Sequence, residues 1–281
     1  MSALSKANIK LKLLIGAVIA LLCALSIAFL SGCAGQASES DSTNIDGGAQ
    51  ESEFDAGIEN PVNWNEWLNR NDNIYAWIVV DDTNVNLPIL QHPSQDNFYL
   101  KMNVDGSSDR LGALYSQGKF NSKDLTQDPV TVVYGHTFTD NEEMFTTLHK
   151  FEDAKFFEEH PTFYVYTPTQ RYTYEVVSAF ENDNKHILMK YDMSNIAQRT
   201  DFFNKVQNPD SMNKQVRTLE TPLDPEKDKL LVLSTCTQPA NDNARYLVTA
   251  VLRNVEDTNT QEINIEEPEV IEEETLREAN A

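Results

Sequence analysis

The sequence predicts a mainly β domain, a barrel or sandwich of about eight strands with several peripheral helices, preceded by one N-terminal transmembrane or signal segment. Three observations predict it. Short runs rich in β-branched and aromatic residues recur from residue 74 to residue 252, separated by turn residues. Apolar residues at helical spacing are confined to a few short stretches. Hydrophobic residues make up 40% of the 281 and charged residues 23%, enough to enclose a core. No repeat of 20–50 residues is visible, which argues against a solenoid or propeller.

The first element is the apolar run 13–30, 18 residues interrupted only by Gly16 and Ser26. As a helix it would rise about 27 Å, close to the thickness of a bilayer core. Lys6, Lys10 and Lys12 precede it and an acidic flank follows, so the positive-inside rule leaves the N-terminus in the cytoplasm and the rest outside. Leu30-Ser31-Gly32-Cys33 is similar to a lipobox, where cleavage exposes a cysteine that carries lipid. Two readings of residues 1–33 follow, an uncleaved single-span anchor and a lipoprotein-type signal anchored through Cys33. Both put the domain on the outer face of a membrane.

Residues 34–60 hold seven acidic residues and no basic one, and residues 256–281 hold ten against Arg277 alone. The first segment reads as a flexible linker and the second as a disordered tail. They carry -7 and -9 of the chain's formal charge of -22 and leave the middle only mildly acidic. That excess argues against a nucleic-acid binder, which needs cations to displace phosphate counterions. Three cysteines, Cys23, Cys33 and Cys236, are too few for a disulfide framework and wrongly placed for a zinc site, so no metal is expected.

Order is expected from Pro61. Trp64, Trp67 and Leu68 share one face of a short helix. Residues 74–80 read as a strand, 81–84 as a turn, and 85–90 as a second strand in which Pro88 marks an edge or bulge. Residues 111–115 are a weaker strand, and Val130–Tyr134 a strong one. Met144, Phe145, Leu148 and Phe151 then recur at helical spacing. Residues 163–167 and 171–179 form a hairpin around Pro168-Thr169-Gln170, and 195–206 a helix within a long connection. Residues 230–233 are a buried strand, and 245–252 another.

Two of these strands run into reactive residues. Val130–Tyr134 leads into Gly135-His136-Thr137, and residues 230–233 lead into Ser234-Thr235-Cys236-Thr237. The polar stretch 238–244 can return the chain as an antiparallel neighbour, bringing Arg245 beside Cys236. The residue types suit acyl transfer: a thiolate nucleophile, an imidazole to protonate a leaving amine, and a guanidinium to stabilise an oxyanion. Gly135 is read as the hinge of a sharp turn before the histidine. His92, His149, His160 and His186 lack metal-ligand spacing and read as structural. A different class of function remains open, a lipid-anchored surface binding protein in which Cys236 is buried and inert.

The longer strings decide more. Tyr134-Gly135-His136, Phe156-Phe157-Glu158-Glu159-His160-Pro161, Leu233-Ser234-Thr235-Cys236-Thr237 and Asn243-Ala244-Arg245-Tyr246 occur in an order that resembles the sortase family, its class B branch most closely. The resemblance covers about residues 62–254. It implies an eight-stranded sortase-type β-barrel over residues 61–255 and a membrane-anchored cysteine transpeptidase that needs no cofactor. It implies Cys236 as nucleophile, His136 as general acid/base, Arg245 as oxyanion donor, and Thr235 as a substrate-binding hydroxyl. The implied partners are secreted proteins bearing a C-terminal sorting motif, with an amine of a peptidoglycan precursor or of a pilin as acceptor.

Overall fold

The computed structural model describes residues 57–237, 241–259 and 261–265. The apolar run 13–30, the lipobox-like Leu30–Cys33 string and the acidic stretch beyond residue 265 lie outside them. Among the described residues, no helix is long and apolar enough to cross a membrane.

The strands are β1 (Ile74–Val79), β2 (Asn86–Leu90), β3 (Leu114–Tyr115), β4 (Val130–Tyr134), β5 (Thr162–Tyr166), β6 (Gln170–Asp183), β7 (Lys214–Val216), β8 (Leu230–Thr237) and β9 (Asn241–Asp257). Their order is β5-β1-β2-β3-β4-β8-β9-β6, and β5 pairs with β6 to close an eight-stranded barrel. The expected barrel is therefore the fold. The three-residue β7 is an addition, hydrogen-bonded to the end of β6 beyond its pairing with β5. Among the described residues, four short α-helices decorate the barrel: α1 (Trp64–Arg70), α2 (Ala154–Glu159), α3 (Ile187–Lys190) and α4 (Ile196–Gln207). The apolar spacing at 144–151 yields a 3₁₀ helix, Thr146–Glu152, before α2 rather than an α-helix.

Strands buried on both faces explain the unbroken apolar runs in the sequence. Val133, Leu231, Leu233, Val248 and Ala250 point into the barrel with Ile78, Phe163 and Tyr174. Val130, Val132, Leu230, Val232 and Leu247 pack on the opposite face against Phe202, Phe203 and Val206 of α4. Asn195 starts α4 by accepting from the backbone N–H groups of Ala197 and Gln198. On another side of the barrel, Trp64, Trp77, Leu90, Tyr99 and Tyr166 form a second external cluster under α1. Pro88 is tolerated because β3 reaches only Ile89 and Leu90, leaving the proline paired on the β1 side alone.

Contacts among the described residues continue past both ends of 61–255. Ile58 bridges Thr258, and buried Asn60 donates to the Thr167 carbonyl and to the Thr258 hydroxyl. β9 runs to Asp257, and the chain beyond it lies against α1. Gln261 accepts from the Trp64 N–H and donates to the Val62 carbonyl, while Asn264 bonds Asn65. Partly buried Ile263 packs on the Trp64 cluster. The start of the acidic tail is thus held by amide side chains and one isoleucine, features that its charge pattern hides.

Candidate active site

Strand register assembles the site. β4 and β8 are parallel neighbours, with Val130 opposite Leu230 and Tyr134 opposite Ser234. His136 and Cys236 each lie two residues beyond that last pair, so equal offsets bring them to the same end of the barrel. The Gly135 N–H extends the ladder to the Ser234 carbonyl at 3.2 Å. On its other side β8 is antiparallel to β9, and Cys236 stands opposite Arg245. The three residues singled out in the sequence are therefore carried by adjacent strands β4, β8 and β9 and line one cleft of about 330 Å³.

Cys236 is a free, partly exposed thiol within β8 rather than a buried core residue. The His136 Nε2–H donates to the Leu100 carbonyl at 2.7 Å, which fixes the ring and leaves Nδ1 as its other face. One Arg245 Nη donates to its neighbour's carbonyl, Ala244, at 2.9 Å. The guanidinium charge also reaches the stacked phenols of Tyr115 and Tyr134. Burial pushes the Tyr115 phenol up to about 12 and raises that of Tyr134 as well, with Arg245 opposing in each case. Both phenols are thus neutral near pH 7 and form an uncharged wall beside the arginine.

Thr235 is among the residues that line the cleft, and its hydroxyl already has partners within the chain. It is 2% exposed, donates to the Gly135 carbonyl at 2.7 Å and meets the Thr137 hydroxyl at 2.6 Å. It ties strand β8 to the loop carrying His136. Gly135 has no positive φ; it is needed because a Cβ would stand 2.5 Å from Leu114 Cδ2 and 2.6 Å from the Phe145 ring.

The Sortase domain family model matches residues 78–253, which include His136, Cys236 and Arg245. The chain belongs to the sortase family. It is 26% identical over 179 residues to Sortase B of Listeria monocytogenes, covering 63% of this chain and 69% of that protein. Among solved structures it resembles Clostridium perfringens sortase B, with TM-score 0.58 and 26% identity over 67% of this chain and 98% of the other. A B. anthracis sortase B gives TM-score 0.56 and 28% identity over 67% and 83%. These similarities identify it as a class B sortase, an enzyme of the cysteine transpeptidase class.

The sortase cleft has walls that sequence reading missed. His186, set aside as structural, lines it at the start of α3. Its Nε2–H donates to Gln117 Oε1 at 2.6 Å, and burial lowers its pKa, which favours the neutral ring. Gln117 in turn donates to Asn97 at 2.8 Å. The only advance signal for His186 was its place in the long connection between β6 and β7. His149, also set aside, lies within hydrogen-bond reach of the Cys236 carbonyl, 87 residues away in sequence. Among the described residues no group of acidic, histidine or cysteine side chains has the geometry to hold a metal ion.

Proposed function

We propose that this sortase is held at a membrane by residues 1–33, acts on the outer face, and cleaves a C-terminal sorting motif of secreted proteins through a thioester on Cys236. The acyl group then passes to an amine of a peptidoglycan precursor or a pilin lysine. The observation that carries the chemistry is the shared register of β4, β8 and β9, which gathers thiol, imidazole and guanidinium at one cleft. The anchoring rests on the 18-residue apolar run with lysines before it.

The Cys236 thiolate attacks the carbonyl carbon of a threonine in the motif, forming a C–S bond and an oxyanion. Arg245 stands opposite Cys236 across the β8–β9 ladder and donates N–H groups to that oxygen. Since Leu100 engages Nε2, Nδ1 of His136 is the nitrogen that gives its proton to the departing amine as the C–N bond breaks. An incoming amine attacks the thioester, returns a proton to His136 and releases the Cys236 thiolate. An inert cysteine in a surface binding protein would be buried, whereas Cys236 is partly exposed in the cleft. The test is Cys236→Ala assayed on quenched fluorogenic peptides randomised around a central threonine. Cleavage by the wild type should fall by several orders of magnitude in the variant. Near-normal turnover without the thiol would refute the covalent route.

A further inference from the structure

His149 does not line the cleft, yet it touches the chain at or beside each of the three reactive residues. Its Nε2 lies 3.0 Å from the carbonyl oxygen of Cys236 itself. The same nitrogen lies 3.5 Å from the hydroxyl of Thr137, the residue after His136. Its ring stacks on that of Tyr246, the residue after Arg245, with centroids 4.6 Å apart and planes 24° from parallel. On the far side, Nδ1 is 2.6 Å from a Glu152 carboxylate oxygen, and the side chain is 11% exposed.

The direction of these bonds follows from what each partner can do. The Thr235 hydroxyl gives its proton to the Gly135 carbonyl, so it accepts from Thr137. The Thr137 proton is then committed, and its lone pairs are what face His149. The Cys236 carbonyl also only accepts. Nε2 of His149 therefore donates, and one ring holds the nucleophile's backbone and the loop of the acid together. The β8–β9 register shifts between Cys236 and Thr237, so regular pairing is interrupted just past the nucleophile, where a side-chain clamp has most to fix. Glu152 sets the ring from behind, and Gln215 of β7 donates to the Glu152 backbone carbonyl at 2.9 Å.

We infer that His149 is a positioning residue of this sortase, clamping the Cys236 carbonyl to the Thr137–Thr235 hydroxyl pair so that thiol, imidazole and guanidinium keep one geometry. It acts through its neighbours and not on the substrate.

The inference rests on the transpeptidase reading, and two readouts separate the two. Full-length protein in detergent is assayed on the best-cleaved peptide of the threonine-centred library. In parallel, alkylation of Cys236 by iodoacetamide is timed by mass spectrometry of the fragment that carries it. His149→Phe keeps the ring on Tyr246 but removes the Nε2 donor and the Nδ1 contact with Glu152; His149→Gln restores a donor near the Nε2 position. Because misplacing reacting groups by about 1 Å can cost about 10²-fold, His149→Phe should lower kcat at least about tenfold with KM within about twofold. It should slow Cys236 alkylation several-fold, and His149→Gln should recover most of both. If the wild type cleaves no peptide but alkylation still tracks the donor, the transpeptidase reading fails and the clamp stands. His149→Phe equal to wild type in both readouts, His149→Gln as impaired as His149→Phe, or a loss confined to KM would overturn the clamp. Should His149→Phe fail to fold, Thr137→Val takes its place. A fall in kcat at unchanged KM is then expected, and an unchanged kcat overturns the inference.

Discussion

A methyl group at Gly135 would sit 2.5 Å from Leu114 Cδ2 and 2.6 Å from the Phe145 ring, too close for any relaxed packing. Gly135→Ala should therefore cost about 1–3 kcal/mol in denaturant unfolding, the usual range for overpacking, and should disturb His136 next to it. Thr235→Val keeps the shape but removes the donor to the Gly135 carbonyl, which should cost about 1–3 kcal/mol for the acceptor left unpaired. Arg245→Lys keeps the charge and loses the planar fork of donors; turnover should drop about 10²–10³-fold, measured at saturating peptide. The gathering of Cys236, His136 and Arg245 at one cleft was legible because residue type, strand ends and motif order point to it. His149 and His186 were not. Their partners lie 87 and 69 positions away, and only the closed barrel brings them together. The bond from the Thr235 hydroxyl to the Gly135 carbonyl was not legible, since a hydroxyl on a strand can face either way.

Among the elements, the sequence reads most clearly where a strand is buried on both faces. β4 and the first half of β8 are mostly apolar because the barrel interior takes one set of side chains and α4 covers the other. Phe203 of α4 is 1% exposed, and Phe203→Ala should cost about 3–5 kcal/mol in chemical denaturation. β3 and β7 carry no such signal. β3 has two residues, and β7 is the sequence Lys-Gln-Val with exposed ends, made a strand only by the free stretch of β6. The C-terminal end of α2 adds a pH-dependent contact. Burial opposes a proton on His160, but the Asp82 carboxylate at 2.9 Å and the Phe156 carbonyl at 2.8 Å outweigh it and raise its pKa. A raised histidine pKa contributes stability that is complete below the unfolded value, about 6.5, and is lost as pH rises through the folded one. Asp82 has a φ of 56°, which asparagine also tolerates, so Asp82→Asn removes the charge without straining the backbone. Thermal melts should show the wild type's advantage over Asp82→Asn at about pH 5.5 and its disappearance by about pH 9, well past the imidazole range. An equal gap at both pH values would remove His160 from the account.

At the scale of the molecule, the expected eight-stranded barrel is present, and hydrogen bonds continue beyond it on both sides into acidic stretches. A run of acidic residues marks solvation, yet Asn60, Gln261 and Ile263 dock within such runs through side-chain amide hydrogen bonds and one apolar contact. A fragment of residues 57–265 should accordingly melt several degrees above one of residues 61–255, which loses the Ile58–Thr258 bridge and the Gln261 bonds to Val62 and Trp64. The central claim is that three strands place a reactive thiol where it forms an acyl-enzyme. The most direct measurement is intact and fragment mass spectrometry of full-length enzyme quenched in acid during peptide cleavage. A mass increase equal to the acyl portion of the peptide, mapped to Cys236 and removed by hydroxylamine, is predicted. Cleavage without any adduct on Cys236, or an adduct on another residue, would contradict the account.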